Sequence, residues 1–255
     1  MCFLGINNKN IVLQTANFML SAFFYSFLLT NAINNDIIDN AVIDNIIIDL
    51  KGESMAVKDH SLDEKIIKAA MDEFKENDFL KASLNKIAEK AGLTTGAVYT
   101  RYKSKDELFC SLVYPLLEEM QRRFSPLEKA YNDVMDSEDI GDILKVIRIE
   151  RQIYVDILFT YYDECVLLFC RSTGSSVEAQ LSKWTNQKAV STAEFIRQRA
   201  KKEIDTDLIE LIMNEQFQFY RQVLQKGFDK EKTVRLMDSV EEFHESGWKG
   251  LFEKI

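Results

Sequence analysis

Proline and glycine are scarce in this chain, with only 2 and 9 among 255 residues. Few alternating, strand-like runs occur after residue 55, and apolar residues recur there at spacings of three and four. Sheet-rich folds are therefore disfavoured and an all-α protein is expected. Cysteine is sparse too: Cys2, Cys110, Cys165 and Cys170 are scattered, without a CxxC pair or an adjacent histidine. That argues against a disulfide framework or a zinc site and fits a reducing cytosol. The two histidines, His60 and His244, have no partner of ligand or catalytic type at helical spacing. The chain lacks a P-loop, a dinucleotide-binding glycine pattern, a metal-ligand cluster, a nucleophile–base pairing and a fixed-period repeat. No enzyme is expected, and with it no catalytic residue, metal or cofactor.

Residues 1–54 read differently from the rest. No charge occurs from Asn10 to Asn35, and FMLSAFFYSFLL is almost wholly apolar. The uncharged stretch reaches the roughly 20 residues that span a bilayer. Only Lys9 precedes the apolar run and no small-residue cleavage site stands out, so a secretory signal is not indicated. The following NNDIIDNAVIDNIIIDL alternates Ile, Asn and Asp without building an amphipathic face. Residues with AT-rich codons dominate here, and Lys51-Gly52-Glu53-Ser54 permits a purine-rich ribosome-binding sequence just ahead of Met55. Residues 1–54 are therefore expected to be a non-native upstream extension, with translation starting at Met55. The alternatives are a membrane anchor at residues 11–33 or a disordered extension. A membrane partner is not expected.

Beyond Met55 the helical grammar is clear. Ser61-Leu62-Asp63-Glu64 spells a capping box, followed by the apolar face Ile66, Ile67, Ala70, Met71 and Phe74, ending near Asn77-Asp78. Ser83 is placed to cap a second helix with Leu84, Ile87, Ala88 and Ala91 inward, and Gly92 stands where that helix must stop. Thr94 or Thr95 caps a short third helix, and Ser104 caps a fourth. Two short helices joined by a glycine turn, the second starting with small residues, make a helix-turn-helix. A recognition helix needs a slim first turn to enter the major groove. Thr94, Thr95, Gly96 and Ala97 supply hydroxyls, a bare backbone and a methyl for that purpose.

Charge follows the same division. The whole chain carries 32 Lys+Arg against 41 Asp+Glu, a formal net charge of −9. Yet Lys81, Lys86, Lys90, Arg101, Lys103 and Lys105 face only one acid, Glu89, across the same stretch. An acidic chain with one basic block suits contact with nucleic acid at a single surface. The DNA-binding set is thus Ser83, Lys86, Thr94, Thr95, Gly96, Ala97, Tyr99, Thr100, Arg101, Lys103 and Lys105.

The stretch SLNKIAEKAGLTTGAVYTRYKSKDELF resembles the DNA-binding signature of the TetR family of bacterial transcriptional regulators. Ile87, Ala88, Ala91, Gly92, Gly96, Val98, Tyr99, Lys105 and Leu108 match its pattern. Leu93 and Thr94 stand for the usual Val-Ser, Arg101 for an aromatic and Tyr102 for Phe. The resemblance implies an N-terminal three-helix DNA-binding domain over 55–117. It also implies a C-terminal helical bundle over 118–255 for ligand binding and dimerisation.

In that second part, breaks are expected at Ser137-Glu138-Asp139, Ser172 to Ser176, Asp205-Thr206-Asp207 and Gly227. Its aromatic density offers Tyr154, Phe159, Tyr162, Phe169 and Trp184 as candidate ligand contacts, although aromatics at helical spacing also serve as plain core. Glu150 is among the charged residues that either face a ligand or sit in solvent. Two apolar stripes offer a dimer face: Leu208, Ile212, Phe219, Val234, Met237, Val240, Gly247 and Leu251. The functional expectation is a cytoplasmic homodimeric regulator, a repressor of a palindromic operator in double-stranded DNA, released by a small-molecule effector of unknown identity. The alternative is a helical adaptor whose C-terminal domain binds a protein.

Overall fold

The computed structural model describes residues 60–254, apart from 138, 139, 201 and 202. The expected extension 1–54 and the start at Met55 lie outside the described residues. Among those described there is no strand, and the fold class is all-α with an N-terminal helix-turn-helix. The elements are α1 (His60–Lys81), α2 (Leu84–Ala91), α3 (Thr95–Tyr99), α4 (Lys105–Ser137), α5 (Ile140–Thr160) and α6 (Tyr162–Val166). A single π-helical turn, Leu167–Arg171, follows, then α7 (Ser176–Ala200), α8 (Thr206–Lys226) and α9 (Lys230–Lys254). No described helix is long and apolar enough to cross a membrane.

Local chemistry sets these boundaries. Helix α1 is already formed at His60, so Ser61 sits in its first turn and not at its cap. It is interrupted at Asp78, whose φ of 57° breaks the helical backbone and redirects Phe79 into the core. Ser83 Oγ accepts from Asn85 N at 3.3 Å to start α2. Gly92, at φ 69°, ends it: Gly92 N donates to Glu89 O and Leu93 N to Ala88 O, the paired bonds of a left-handed helix stop. Gly227, at φ 60°, ends α8 by the same two bonds. Ser104 Oγ accepts from Glu107 N at 3.0 Å while the Glu107 carboxylate accepts from Lys103 N at 2.6 Å. Ser175 and Glu178 repeat this reciprocal arrangement at the start of α7. Pro115 and Pro126 lie inside α4 without ending it. The break at Tyr161 and the π turn were not foreseeable from turn residues, because no glycine or proline marks them.

Two compact units emerge among the described residues: 60–118 with 163–181, and 119–162 with 182–254. The inclusion of 163–181 with the helix-turn-helix is not apparent in the sequence. In that first unit Ile66, Ala70, Phe74, Ile87, Val98, Leu108 and Phe109 are fully buried. Phe109 meets Phe74 and Phe79 edge-on at 5.0 and 5.2 Å between centroids. The π turn buries Leu167, Leu168 and Phe169 and packs against α1. Ion pairs Lys75–Asp163 and Arg171–Asp78, both at 2.6 Å, fasten the segment. Asp106 adds a third tie by accepting from Ser176 N at 2.9 Å and Ser176 Oγ at 2.6 Å. Burial pushes the neighbouring Cys110 thiol up to about 11, so it is protonated and chemically quiet near neutrality.

The second unit contains a chain of tilted aromatic rings. Phe124 of α4 meets Tyr154 of α5 at 4.7 Å, and Tyr154 meets Tyr220 of α8 at 5.8 Å. Helix α9 runs antiparallel to α5: Arg151 pairs with Asp238 and Glu241 at one end, and Asp156 with Lys230 at the other.

Candidate nucleic-acid interface

Helix α3 is only five residues long and is held by one deep anchor, Val98, which is fully buried. Its cap is Thr94, whose Oγ1 accepts from Ala97 N at 3.2 Å. With Val98 fixed inward, helical geometry turns the rest of the tip outward. Thr94, Gly96, Tyr99 and Thr100 are exposed, while Thr95 and Ala97 are half-buried. Tyr99 leaves 53% of its surface in solvent, unusual for a tyrosine beside a core and suited to contact with a partner. Among the described residues a Cβ built on Gly96 would meet only Thr94 Oγ1, at 3.9 Å, so none of them demands glycine there. The thinness serves the outer side. Thr100 Oγ1 donates back to Gly96 O at 2.8 Å, closing the helix.

The basic residues divide into two groups. Lys81, Lys86 and Lys103 are exposed. Arg101 instead forms an ion pair with Asp63 of α1, its side chain only 17% exposed, and Nη1 reaches Ala97 O at 3.4 Å. Lys105 donates to Leu80 O at 3.2 Å and Ala82 O at 3.1 Å, and its ammonium lies 4.6 Å from the Phe79 ring centre. It closes the open carbonyl end of α1. Lys90 is bound to Glu76 at 2.6 Å and lies 2.9 Å from Glu73 Oε2. Glu76 and then Glu73 hold the Lys90 ammonium above its ordinary pKa. Three of the six cations in the basic block thus serve the scaffold. Tyr102 packs half-buried behind the tip, and burial raises its phenol pKa. Ser83 is half-buried as the α2 cap.

One residue of this surface was missed in the sequence. Asn85 of α2 is exposed, and its Oδ1 accepts from Thr95 Oγ1 at 3.1 Å. Its outward place in the first turn of α2, close to a conspicuous recognition tip, was the available signal.

The remaining candidates scatter more widely. Tyr154 is buried, with its hydroxyl 3.4 Å from Glu150 Oε1, and Phe159 is half-buried. Tyr162 is half-buried and donates to Leu224 O at 3.1 Å. All three belong to the second unit, whereas Phe169 is buried in the first. The Trp184 side chain lies outside the described residues. On α8, Leu208 and Leu211 are exposed, at 36% and 67%, and Ile212 and Phe219 are half-buried; Ile209, Val223 and Leu224 form the buried face. On α9, Val234, Met237 and Val240 are half-buried, Gly247 is exposed and Phe243 is 72% exposed. The side chain of Leu251 lies outside the described residues.

A capped, glycine-stopped helix-turn-helix presenting a slim, hydroxylated tip with exposed lysines defines a DNA-binding unit. Residues 66–112 match the model of bacterial regulatory proteins of the tetR family. That match covers the helix-turn-helix and marks the protein as a DNA-binding transcriptional regulator whose DNA-binding segment is similar to that family's. A solved structure, of the fatty acid degradation regulator FadR from Bacillus halodurans, is similar over 72% of this chain and 98% of its own, at 16% identity and a TM-score of 0.46.

Proposed function

We propose that the chain acts in the cytoplasm as a homodimeric repressor of a palindromic operator and is released by a small-molecule effector. The observation that carries the reading is the exposed tip Thr94 to Thr100, pinned from behind by Val98. Exposed Leu208, Leu211 and Phe243, on α8 and α9 faces turned away from the unit's own core, support pairing with a second copy. Two recognition helices about one DNA turn apart, roughly 34 Å, then require a two-fold-symmetric site. Release by an effector needs differential affinity: the ligand must favour a conformation whose helix tips no longer match the half-site spacing. The aromatic core around Tyr154 is the part of the second unit best suited to an apolar ligand. The test is a gel shift with duplex from upstream of the protein's own gene. Retarded complexes that contain two protein chains, and that Tyr99→Ala weakens, are expected. A complex with one chain per duplex, or one insensitive to Tyr99→Ala, contradicts the proposal.

A further inference from the structure

The pair Asn85–Thr95 fixes more than the position of a side chain. A threonine hydroxyl has one proton and two lone pairs. Here the proton is committed: Thr95 Oγ1 donates to Asn85 Oδ1 at 3.1 Å. The neighbouring hydroxyls of Ser83 and Thr94 are engaged by backbone amides. Asn85 N is engaged by the Ser83 cap at 3.3 Å, and Thr94 Oγ1 is occupied by Ala97 N at 3.2 Å. Thr95, half-exposed at the tip, is therefore left with lone pairs only.

We infer that Asn85 is a specificity-determining positioning residue, which sets Thr95 as a hydrogen-bond acceptor toward the operator and selects a base bearing an exocyclic amino group. The inference rests on the DNA-binding reading above. In the major groove adenine N6 and cytosine N4 are donors, whereas guanine O6 and thymine O4 are acceptors. An acceptor held against an acceptor leaves both desolvated and unpaired, which is worse than a missing bond. The base opposite Thr95 is therefore adenine or cytosine on the strand that the tip faces. Asn85 acts through Thr95.

The experiment is selection from a randomised duplex library with the full-length protein, followed by binding measurements on the four single-base variants at the Thr95-sensitive position. The wild type enriches adenine or cytosine there, and Thr95→Val flattens the preference. Thr95→Ser, which keeps the hydroxyl, retains it. Asn85→Ala frees the hydroxyl to rotate and reduces discrimination by on the order of fivefold, about one net hydrogen bond. Asn85→Asp keeps the acceptor, so the base preference survives although overall affinity falls through repulsion from phosphate. Circular dichroism confirms that each variant folds. An Asn85→Ala protein with the wild-type preference, or a wild type that selects guanine or thymine at that position, overturns the inference while leaving DNA binding intact. A wild type that enriches no sequence at all overturns both.

Discussion

Lys90→Met isolates the tie between α1 and α2 that orients the recognition helix. Glu73 is fully buried, and the Lys90 ammonium lies 2.9 Å from its carboxylate. At an effective dielectric of about 20 that separation corresponds to a gross attraction on the order of 6 kcal/mol. The Lys90 side chain keeps 33% of its surface in solvent, which screens the pair. Removing a partner from a fully buried pair costs about 3–5 kcal/mol, so a loss of about 2–4 kcal/mol is expected here. Glu76, whose side chain is 64% exposed, shares the same ammonium, yet Glu76→Gln should cost less than about 1 kcal/mol. Combining Glu73→Leu with Lys90→Met replaces the pair by apolar groups and should recover most of the loss. Urea unfolding followed by circular dichroism gives each value from the midpoint at constant slope. The two carboxylates raise the Lys90 pKa, so its contribution is fully present below about pH 10.4 and is lost only as pH rises through the higher folded value. The deficit of Lys90→Met should therefore persist from neutral pH to about pH 10 and close above it. A deficit below about 0.5 kcal/mol, or one that Glu76→Gln matches, refutes the reasoning.

Other consequences concern the same scaffold and its neighbour. Gly174 sits at φ 87°, and a Cβ there would collide with Leu80 Cδ2 and lie 2.9 Å from Leu80 Cγ. Gly174→Ala should therefore lower the unfolding midpoint, with partial rescue by Leu80→Ala, which removes the collision but not the backbone strain of about 1 kcal/mol. Lys105→Met should destabilise the protein by about 1–2 kcal/mol because the carbonyls of Leu80 and Ala82 lose their donor, whereas Lys103→Ala should leave the melting temperature unchanged. In the second unit, Lys230, then Gln152 and Arg123, hold the Asp156 carboxyl below its ordinary pKa. That contribution is present above the unfolded pKa, about 3.9, and is lost as pH falls through the folded value. Asp156→Asn should thus destabilise modestly at pH 7, with the difference shrinking below about pH 4 in parallel melts; a gap that widens in acid contradicts the ion-pair network.

The recognition unit was legible because its signals are local. Ser83, Gly92, Thr94 and Ser104 each act on backbone within a few residues, and the structure gives them the capping and stopping bonds their types imply. The breaks at Ser172 to Ser176, Asp205 and Gly227 were readable for the same reason, whereas Glu138 and Asp139 of the break expected after Ser137 lie outside the described residues. Partners distant in sequence were not. Nothing in the spelling of Arg101 or Lys105 points to Asp63 or to the carbonyls of Leu80 and Ala82, so local charge alone marked both as phosphate contacts. The assignment of 163–181 to the DNA-binding unit depends on Asp78, Lys75 and Asp106 meeting residues some 70 to 93 positions away. On α8 the stripe through Leu208 and Ile212 was visible, but an apolar stripe does not say which face the chain itself buries. The buried face belongs to Ile209, Val223 and Leu224.

The most direct test of the tip Thr94 to Thr100 as the DNA-contacting surface is fluorescence anisotropy on the selected duplex across a salt series. The log of the wild-type binding constant should fall linearly with log salt, by about 0.9 per phosphate neutralised. Lys103→Ala should reduce that slope by about one contact with no change of base preference, while Tyr99→Ala weakens binding in a protein of normal melting temperature. Binding that ignores salt, or that both variants leave at wild-type strength, would contradict the account.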